Sequence, residues 1–305
     1  MKNEKTIGLQ YFDLEKMSKE ERLAAIEASE GRILVQELSL FGQMQLLAPV
    51  SDAEIACAFG ADMLLLNAFD CNKPSIPGIE GEAHEIIRKL KSYTGRLIGV
   101  NLEPVGSGEL LSERELLPAG RLATLENVRK AKELGFDYIL LTGNPGTGVD
   151  NNAIIQALTA IRMEAGDDMI LMAGKMHAAG SKEEAGCSII SKEQIQDFAS
   201  AGADVILLPA PGTVPGITFE FVKDMITYIH SIGKLSLTAI GTSQEGASAS
   251  TMEQIALMCK MAGTDLHHIG DAAVGGMNPE NLMTYSIAIR GKRHTYIRMA
   301  RSINR

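Results

Sequence analysis

Phe59-Gly-Ala-Asp-Met-Leu-Leu-Leu66 returns along the chain as Leu134-Gly-Phe-Asp-Tyr-Ile-Leu-Leu141, then as Ala201-Gly-Ala-Asp-Val-Ile-Leu-Leu208. A weaker copy follows at Ala262-Gly-Thr-Asp-Leu-His-His-Ile269. Each copy reads as a helix end, a glycine, any residue, and an aspartate that opens an apolar run. The glycine suits the left-handed position that terminates a helix, and the run is too short for anything except a buried strand. The copies lie too far apart for a single helix between them. One further strand fits each gap: Arg96-Leu-Ile-Gly-Val-Asn101, Met169-Ile-Leu-Met-Ala173 and Lys234-Leu-Ser-Leu-Thr-Ala239. Arg32-Ile-Leu-Val-Gln-Glu37 precedes the series, which makes eight strands.

The segments between the strands are amphipathic and carry helix start signals. Ser18-x-x-Glu21, Ser51-x-x-Glu54, Ser191-x-x-Gln194 and Ser250-x-x-Glu253 have capping-box spacing. Strands alternating with helices demand a parallel sheet, and eight such units close into a (β/α)8 TIM barrel. An open doubly wound sheet is the weaker competitor, since no G-x-G-x-x-G follows the first strand. The expectation is one barrel domain over residues 1–305, with an N-terminal helix at about 18–29 and an extra C-terminal helix after the eighth unit. The basic tail from Arg290 to Arg305 reads as a solvated helix packed through Tyr296, Ile297 and Met299, or as an anion or oligomer contact.

Composition narrows the function classes. The chain has 305 residues, 45% apolar and 22% charged, and no apolar run long enough for a membrane span. A charged start without an apolar h-region argues against a secretory signal. Four scattered cysteines without a C-x-x-C pair suit reduced thiols, so a cytoplasmic location is expected. A net charge of −9 with no tryptophan argues against nucleic acid as a partner. A small-molecule ligand remains, and a homo-oligomer is compatible with the extra terminal helix.

Barrel enzymes place their chemistry at the C-terminal ends of the strands. Two long loops there, roughly 102–121 and 174–191, are lid candidates. Alternation along Leu97–Glu103 turns Asn101 and Glu103 into the mouth, a carboxamide to hold a substrate oxygen beside a general base or metal ligand. After strand five, Lys175 suits a Schiff base or a charge for an enolate, and His177 suits a proton shuttle. Glu37 and Asp70, with Glu103, offer oxygen ligands for Mg²⁺. Each of these polar groups also admits the plainer reading of a solvated strand-end residue.

The last two loops carry a phosphate signal. Gly241, Thr242 and Ser243 follow strand seven; Gly270 and Gly276 follow strand eight and lead into a helix start near Asn278-Pro279. Glycines let backbone N–H groups approach an anion at the place where barrels commonly hold phosphate. Asp271 within that cradle would repel one. Adjacent His267 and His268 face opposite sides of their strand, so they are no metal pair.

With these loops placed, the chain resembles a phosphate-binding-type TIM barrel. Ser51-Asp-Ala-Glu-Ile-Ala-Cys-Ala-Phe-Gly-Ala-Asp62 and Gly270-Asp-Ala-Ala-Val-Gly-Gly-Met-Asn-Pro-Glu-Asn281 are similar to bacterial barrel proteins of unassigned activity, loosely phosphoenolpyruvate phosphonomutase-like. The resemblance implies a Mg²⁺-assisted lyase or mutase acting on a small oxyacid or phosphorylated substrate. The expectation is therefore a lyase, aldolase or isomerase of a small phosphorylated or carboxylated metabolite. A metal-dependent hydrolase of a similar substrate, or a barrel that binds a metabolite without turnover, is the alternative.

Overall fold

A computed structural model of the chain describes residues 16–41, 45–106, 117–143, 148–166, 168–177, 186–271 and 277–303. The eight expected strands are β1 (Ile33–Ser39), β2 (Met63–Asn67), β3 (Leu97–Leu102), β4 (Tyr138–Leu141), β5 (Ile170–Gly174), β6 (Val205–Pro209), β7 (Leu235–Ile240) and β8 (Leu266–Ile269). Each pairs in parallel with the next, and β8 returns to β1, so the sheet is a closed TIM barrel. Two periods of side chain leave the sheet. Val35, Leu65, Leu140 and Met172 fill the barrel interior, while Leu34, Leu64, Ile139 and Leu171 pack outward under the helices.

The Gly-x-Asp repeat explains how the strands are held at their starts. All four repeat glycines have positive φ, at 112°, 93°, 114° and 96° for residues 60, 135, 202 and 263, as a helix-ending position requires. The aspartate then reaches back to the preceding odd strand. Its carboxylate accepts the backbone N–H of Leu34 (Asp62), Ile98 (Asp137), Leu171 (Asp204) or Ser236 (Asp265), at 2.8–2.9 Å. Each odd strand is thus latched to the even strand that follows it, which is why the motif marks every second strand.

A basic side chain meets each of these carboxylates. Lys91 and Arg162 serve Asp137 and Asp204 at 2.8 and 2.7 Å, and His230 serves Asp265 at 2.8 Å. The hydrogen bond to Asp265 holds His230 above its ordinary imidazole value. Helix α1 (Lys19–Glu27), capped by Ser18, lays Ala25 and Ile26 against the interior side chains and sends Lys19 and Arg22 to Asp204 and Asp137. It therefore plugs the lower end of the barrel.

Asp62 is fully buried and draws its partners from the far end of the chain. The last described helix (Pro279–Ala300) breaks at Gly291, where φ is 74°, and the turn lets both Arg290 and Arg298 reach Asp62, at 2.5 and 2.7 Å. The basic tail accordingly packs through its arginines: Arg298 is 1% exposed, while Tyr296 and Ile297 are half exposed. Burying a long charged side chain is tolerable only because an opposite charge is already buried there. Another correction concerns the helix Ala249–Ala262, whose cap is Ser248; Ser250 falls inside its first turn. The other three capping boxes form as spaced.

One glycine is dictated by close approach. The Tyr138 ring lies inside the barrel, directly over Gly99, and its hydroxyl donates to the Leu64 carbonyl at 2.7 Å on the next strand but one. A Cβ on Gly99 would sit 2.1 Å from that ring. Gly99→Ala is expected to destabilise the fold by about 1–3 kcal/mol through overpacking. Gly246→Ala, which meets nothing within 4 Å, should leave the urea midpoint unchanged.

Candidate functional site

At the C-terminal ends of the strands the interior register changes from apolar to polar, and a cavity of about 470 Å³ opens. Its lining includes Glu37, Asn67, Asn101, Glu103, Arg121, Thr142, His177, Glu245 and Asp271. Glu37, Asn67 and Asn101 continue the inward rows of β1, β2 and β3, so the alternation that fills the core below also aims them into the mouth.

Two buried side-chain pairs frame the site. Glu37 Oε2 lies 2.8 Å from His268 Nε2, and its Oε1 accepts from Asn67 Nδ2 at 2.6 Å. Asn101 Nδ2 in turn donates to Asn67 Oδ1 at 3.2 Å. A polar chain thus crosses β3, β2, β1 and β8. His268 is the inward member of its pair. His267 faces the helices, bonds Tyr285 Oη and the Gly31 carbonyl, and is pushed by burial down to about 4.

The second pair is Glu103 with Arg121. Backbone hydrogen bonds from Glu103 N to Arg121 O and from Ala123 N to Glu103 O bring the returning chain alongside β3, and the guanidinium bonds Glu103 Oε1. The Phe41 ring stacks on the guanidinium with its centroid 4.7 Å away.

Four buried polar atoms on cavity-lining side chains have no hydrogen-bond partner among the described residues: Asn101 Oδ1, Thr142 Oγ1, His177 Nδ1 and Glu245 Oε2. Such atoms cost about 1–3 kcal/mol each when left unmade, so their convergence marks a place built for a polar guest. Burial lowers the His177 imidazole below its ordinary value, with Glu37 pulling the other way. Burial raises the Glu245 carboxyl, with Asp271 and Glu37 adding repulsion against a backbone hydrogen bond and His268. Burial thus favours the uncharged form of both groups.

The sequence candidates separate on this geometry. Asn101, Glu103, His177 and Glu37 line the cavity, as do Gly241 and Gly270. Lys175 is 1% exposed and is not part of that lining. It follows directly on the end of β5, after Gly174, whose φ is 150°. Asp70 is also outside the lining; its Oδ1 accepts from Asn72 N and abuts the turn at Gly120.

The glycine loops do structural work as well. A Cβ on Gly241 would meet Met176 Sδ at 2.3 Å, and one on Gly270 would meet the Ile240 carbonyl at 2.7 Å. The Thr242 hydroxyl donates to Thr213 O at 2.6 Å, and Ser243 is exposed at a φ of 78°. The side chains that these loops bring to the cavity are Glu245 and Asp271. Gly276, Asn144 and the central parts of both lid candidates lie outside the described residues.

A Mg²⁺ site built on Glu37, Asp70 and Glu103 does not fit this arrangement. Both Glu37 oxygens are engaged, Glu103 is paired with Arg121, and Asp70 is elsewhere. No group of three His, Cys, Asp or Glu side chains among the described residues could hold a metal ion.

The family profile described as Domain of unknown function (DUF7916) matches residues 7–305. The chain belongs to this family. No curated protein matches the DUF7916 chain. Among solved structures, it is similar to the carboxyl transferase domain of Rhizobium etli pyruvate carboxylase, with a TM-score of 0.57 and 14% identity over 94% of this chain. It spans about half of that domain, 52%. It is also similar to 2,3-dimethylmalate lyase, a PEP mutase/isocitrate lyase superfamily member, with a TM-score of 0.51 and 16% identity, covering 88% of this chain and 82% of that one. At these identities the likeness is one of fold, and at that level it matches the phosphonomutase-like resemblance of the sequence. No helix among the described residues is long and apolar enough to cross a membrane.

Removing Arg121 takes the cation from a buried carboxylate. Arg121→Leu is expected to cost about 3–5 kcal/mol in urea unfolding. Adding Glu103→Leu should recover most of that loss, and a double-mutant cycle without recovery would show the pair to be uncoupled.

Proposed function

We propose that this chain is an enzyme of lyase or isomerase type that moves a proton on a small carboxylated metabolite bound at the C-terminal mouth of the barrel. The observation that carries the reading is the set of four polar atoms without a partner among the described residues, on side chains that line the same cavity as Glu37, Glu103 and Arg121. Two of those atoms belong to His177 and Glu245, for which burial favours a neutral imidazole and a neutral carboxyl.

Arg121 is the one permanent cation among the described lining residues, so the charge of an anionic ligand belongs beside it. A carboxylate is favoured over a phosphate because Glu245 and Asp271 stand at the two glycine loops that would have to cradle the larger anion. Neutral His177 accepts the proton from the substrate, and the protonated Glu245 carboxyl returns one to the departing or rearranging atom. The Glu37–His268 pair fixes the floor on which the substrate rests. Lys175, set off the cavity, has no part in this scheme, and no step passes through a metal.

The sign of the pH dependence follows. His177 works when deprotonated, and burial depresses its pKa, so the acid limb of kcat/KM should fall below 6.5. Glu245 works when protonated, and burial raises its pKa, so the alkaline limb should lie above 4.5. A thermal-shift panel of small carboxylates and phosphate esters identifies the ligand, and product analysis of each hit establishes turnover. His177→Asn and Glu245→Gln are each expected to lower kcat about 10²–10⁴-fold, and to remove the acid and alkaline limbs respectively. Wild-type kcat in both variants, or stabilisation by phosphate esters alone, would overturn the scheme.

A further inference from the structure

Glu37 determines which way a neutral amide faces two residues away. Its buried carboxylate can only accept, so Asn67 must turn Nδ2 toward it, at 2.6 Å. The Asn67 oxygen is fixed a second time by Ala68 N, which donates to it at 2.8 Å. Asn101 can meet that oxygen only with its own Nδ2, at 3.2 Å. Its Oδ1 is left over, buried and without a partner among the described residues. A carboxamide normally offers either end to a ligand, with the choice read from its network; this one is pinned as an acceptor by two preceding links. Thr142 Oγ1, just past the end of the neighbouring β4, also has no partner among the described residues, and its hydroxyl can accept or donate.

We infer that Asn101 is a specificity-determining residue that demands a hydrogen-bond donor from the ligand, so the substrate carries a hydroxyl or amino group at this point and a carbonyl is rejected. This rests on the carboxylate-binding reading above and names the second group of that substrate. A carbonyl oxygen placed here would face the Asn101 oxygen, leaving two acceptors opposed in a buried site. A polar site whose partner group is missing discriminates strongly, because its own atom then stays unsatisfied. The chain Glu37–Asn67–Asn101 therefore converts a fixed negative charge into a chemical preference at the cavity.

The test uses the full chain and ligand-observed NMR titration of four-carbon acids: 2-hydroxybutyrate, 2-aminobutyrate and 2-oxobutyrate, with 3-hydroxybutyrate and acetoacetate. Glycerol and dihydroxyacetone form an uncharged pair. At least one hydroxy or amino acid is expected to bind about tenfold or more tightly than its oxo counterpart. The hydroxy and amino members tell the two donors apart. Asn101→Leu should bring each ratio to near one, and Asn67→Ala, which frees the Asn101 amide to rotate, should lower it without touching the ligand.

Equal affinities in the wild type, or a ratio unchanged in both variants, overturns the inference while the carboxylate reading stands. Donor preference seen only with glycerol over dihydroxyacetone supports the inference and overturns the carboxylate reading. Binding of neither set overturns both. A uniform loss of affinity at constant ratio in the variants would assign Asn101 a structural role only, against the inference.

Discussion

The barrel depends on four carboxylates at its lower rim. Asp62, Asp137, Asp204 and Asp265 each tie the first free N–H of an odd strand to the even strand beside it. A parallel strand start leaves backbone donors that no neighbour in the ladder can meet, and a side-chain acceptor one strand over removes that deficit. Because the acceptors are ionised and largely buried, each needs a cation, and the cations recruit the rest of the chain: helix α1 through Lys19 and Arg22, the outer helices through Lys91 and Arg162, the tail through Arg290 and Arg298. The upper rim is then free to carry polar groups selected for chemistry.

Polarity is divided cleanly along the barrel axis. Below the mouth the interior is apolar and closely filled, to the extent that Tyr138 requires a glycine beside it. Above it, inward positions become Glu37, Asn67, Asn101 and His268, linked by hydrogen bonds and by the close approach of His268 Nε2 to Glu37 Oε2. The packed layers beneath hold these groups in place, and a site set on strands is held more firmly than one set on loops. The mobile-sized elements, the turn bearing Arg121 and the loop bearing Glu245, are anchored by backbone bonds to Glu103 and by Asn281 Nδ2 to Glu245 O.

Much of the fold was legible in the sequence because a repeated motif counts strands in a way that composition cannot. The glycine gave the helix stop and the apolar run gave the strand; the aspartate, though conspicuous, did not reveal its backbone partner, which lies 28 to 39 residues earlier. Asn101 and Glu103 were readable from alternation alone. Lys175, read from its nearness to a strand end, is buried beside the cavity-lining Met176 and His177 without lining the cavity itself. Glu245 was passed over since its loop reads as glycine and serine, and only the short turn Gln244–Gly246 folds its carboxyl inward. Arg121 escaped notice because its neighbour Glu103 lies 18 residues away, on the other side of a long loop. Pairings of this kind are set by tertiary approach and leave no periodic trace.

The latch at Asp62 also imposes an order in time. Its two guanidinium partners are made more than 220 residues after it. A nascent chain can assemble the middle latches from near neighbours, Lys91 with Asp137 and Arg162 with Asp204. The seam between the first strand and the eighth must stay open until Arg290 and Arg298 have been made, with Asp62 kept in water. Ring closure is thereby coupled to this late segment, and a chain cut before it would carry an unpaired carboxylate where the folded barrel has its driest salt bridge.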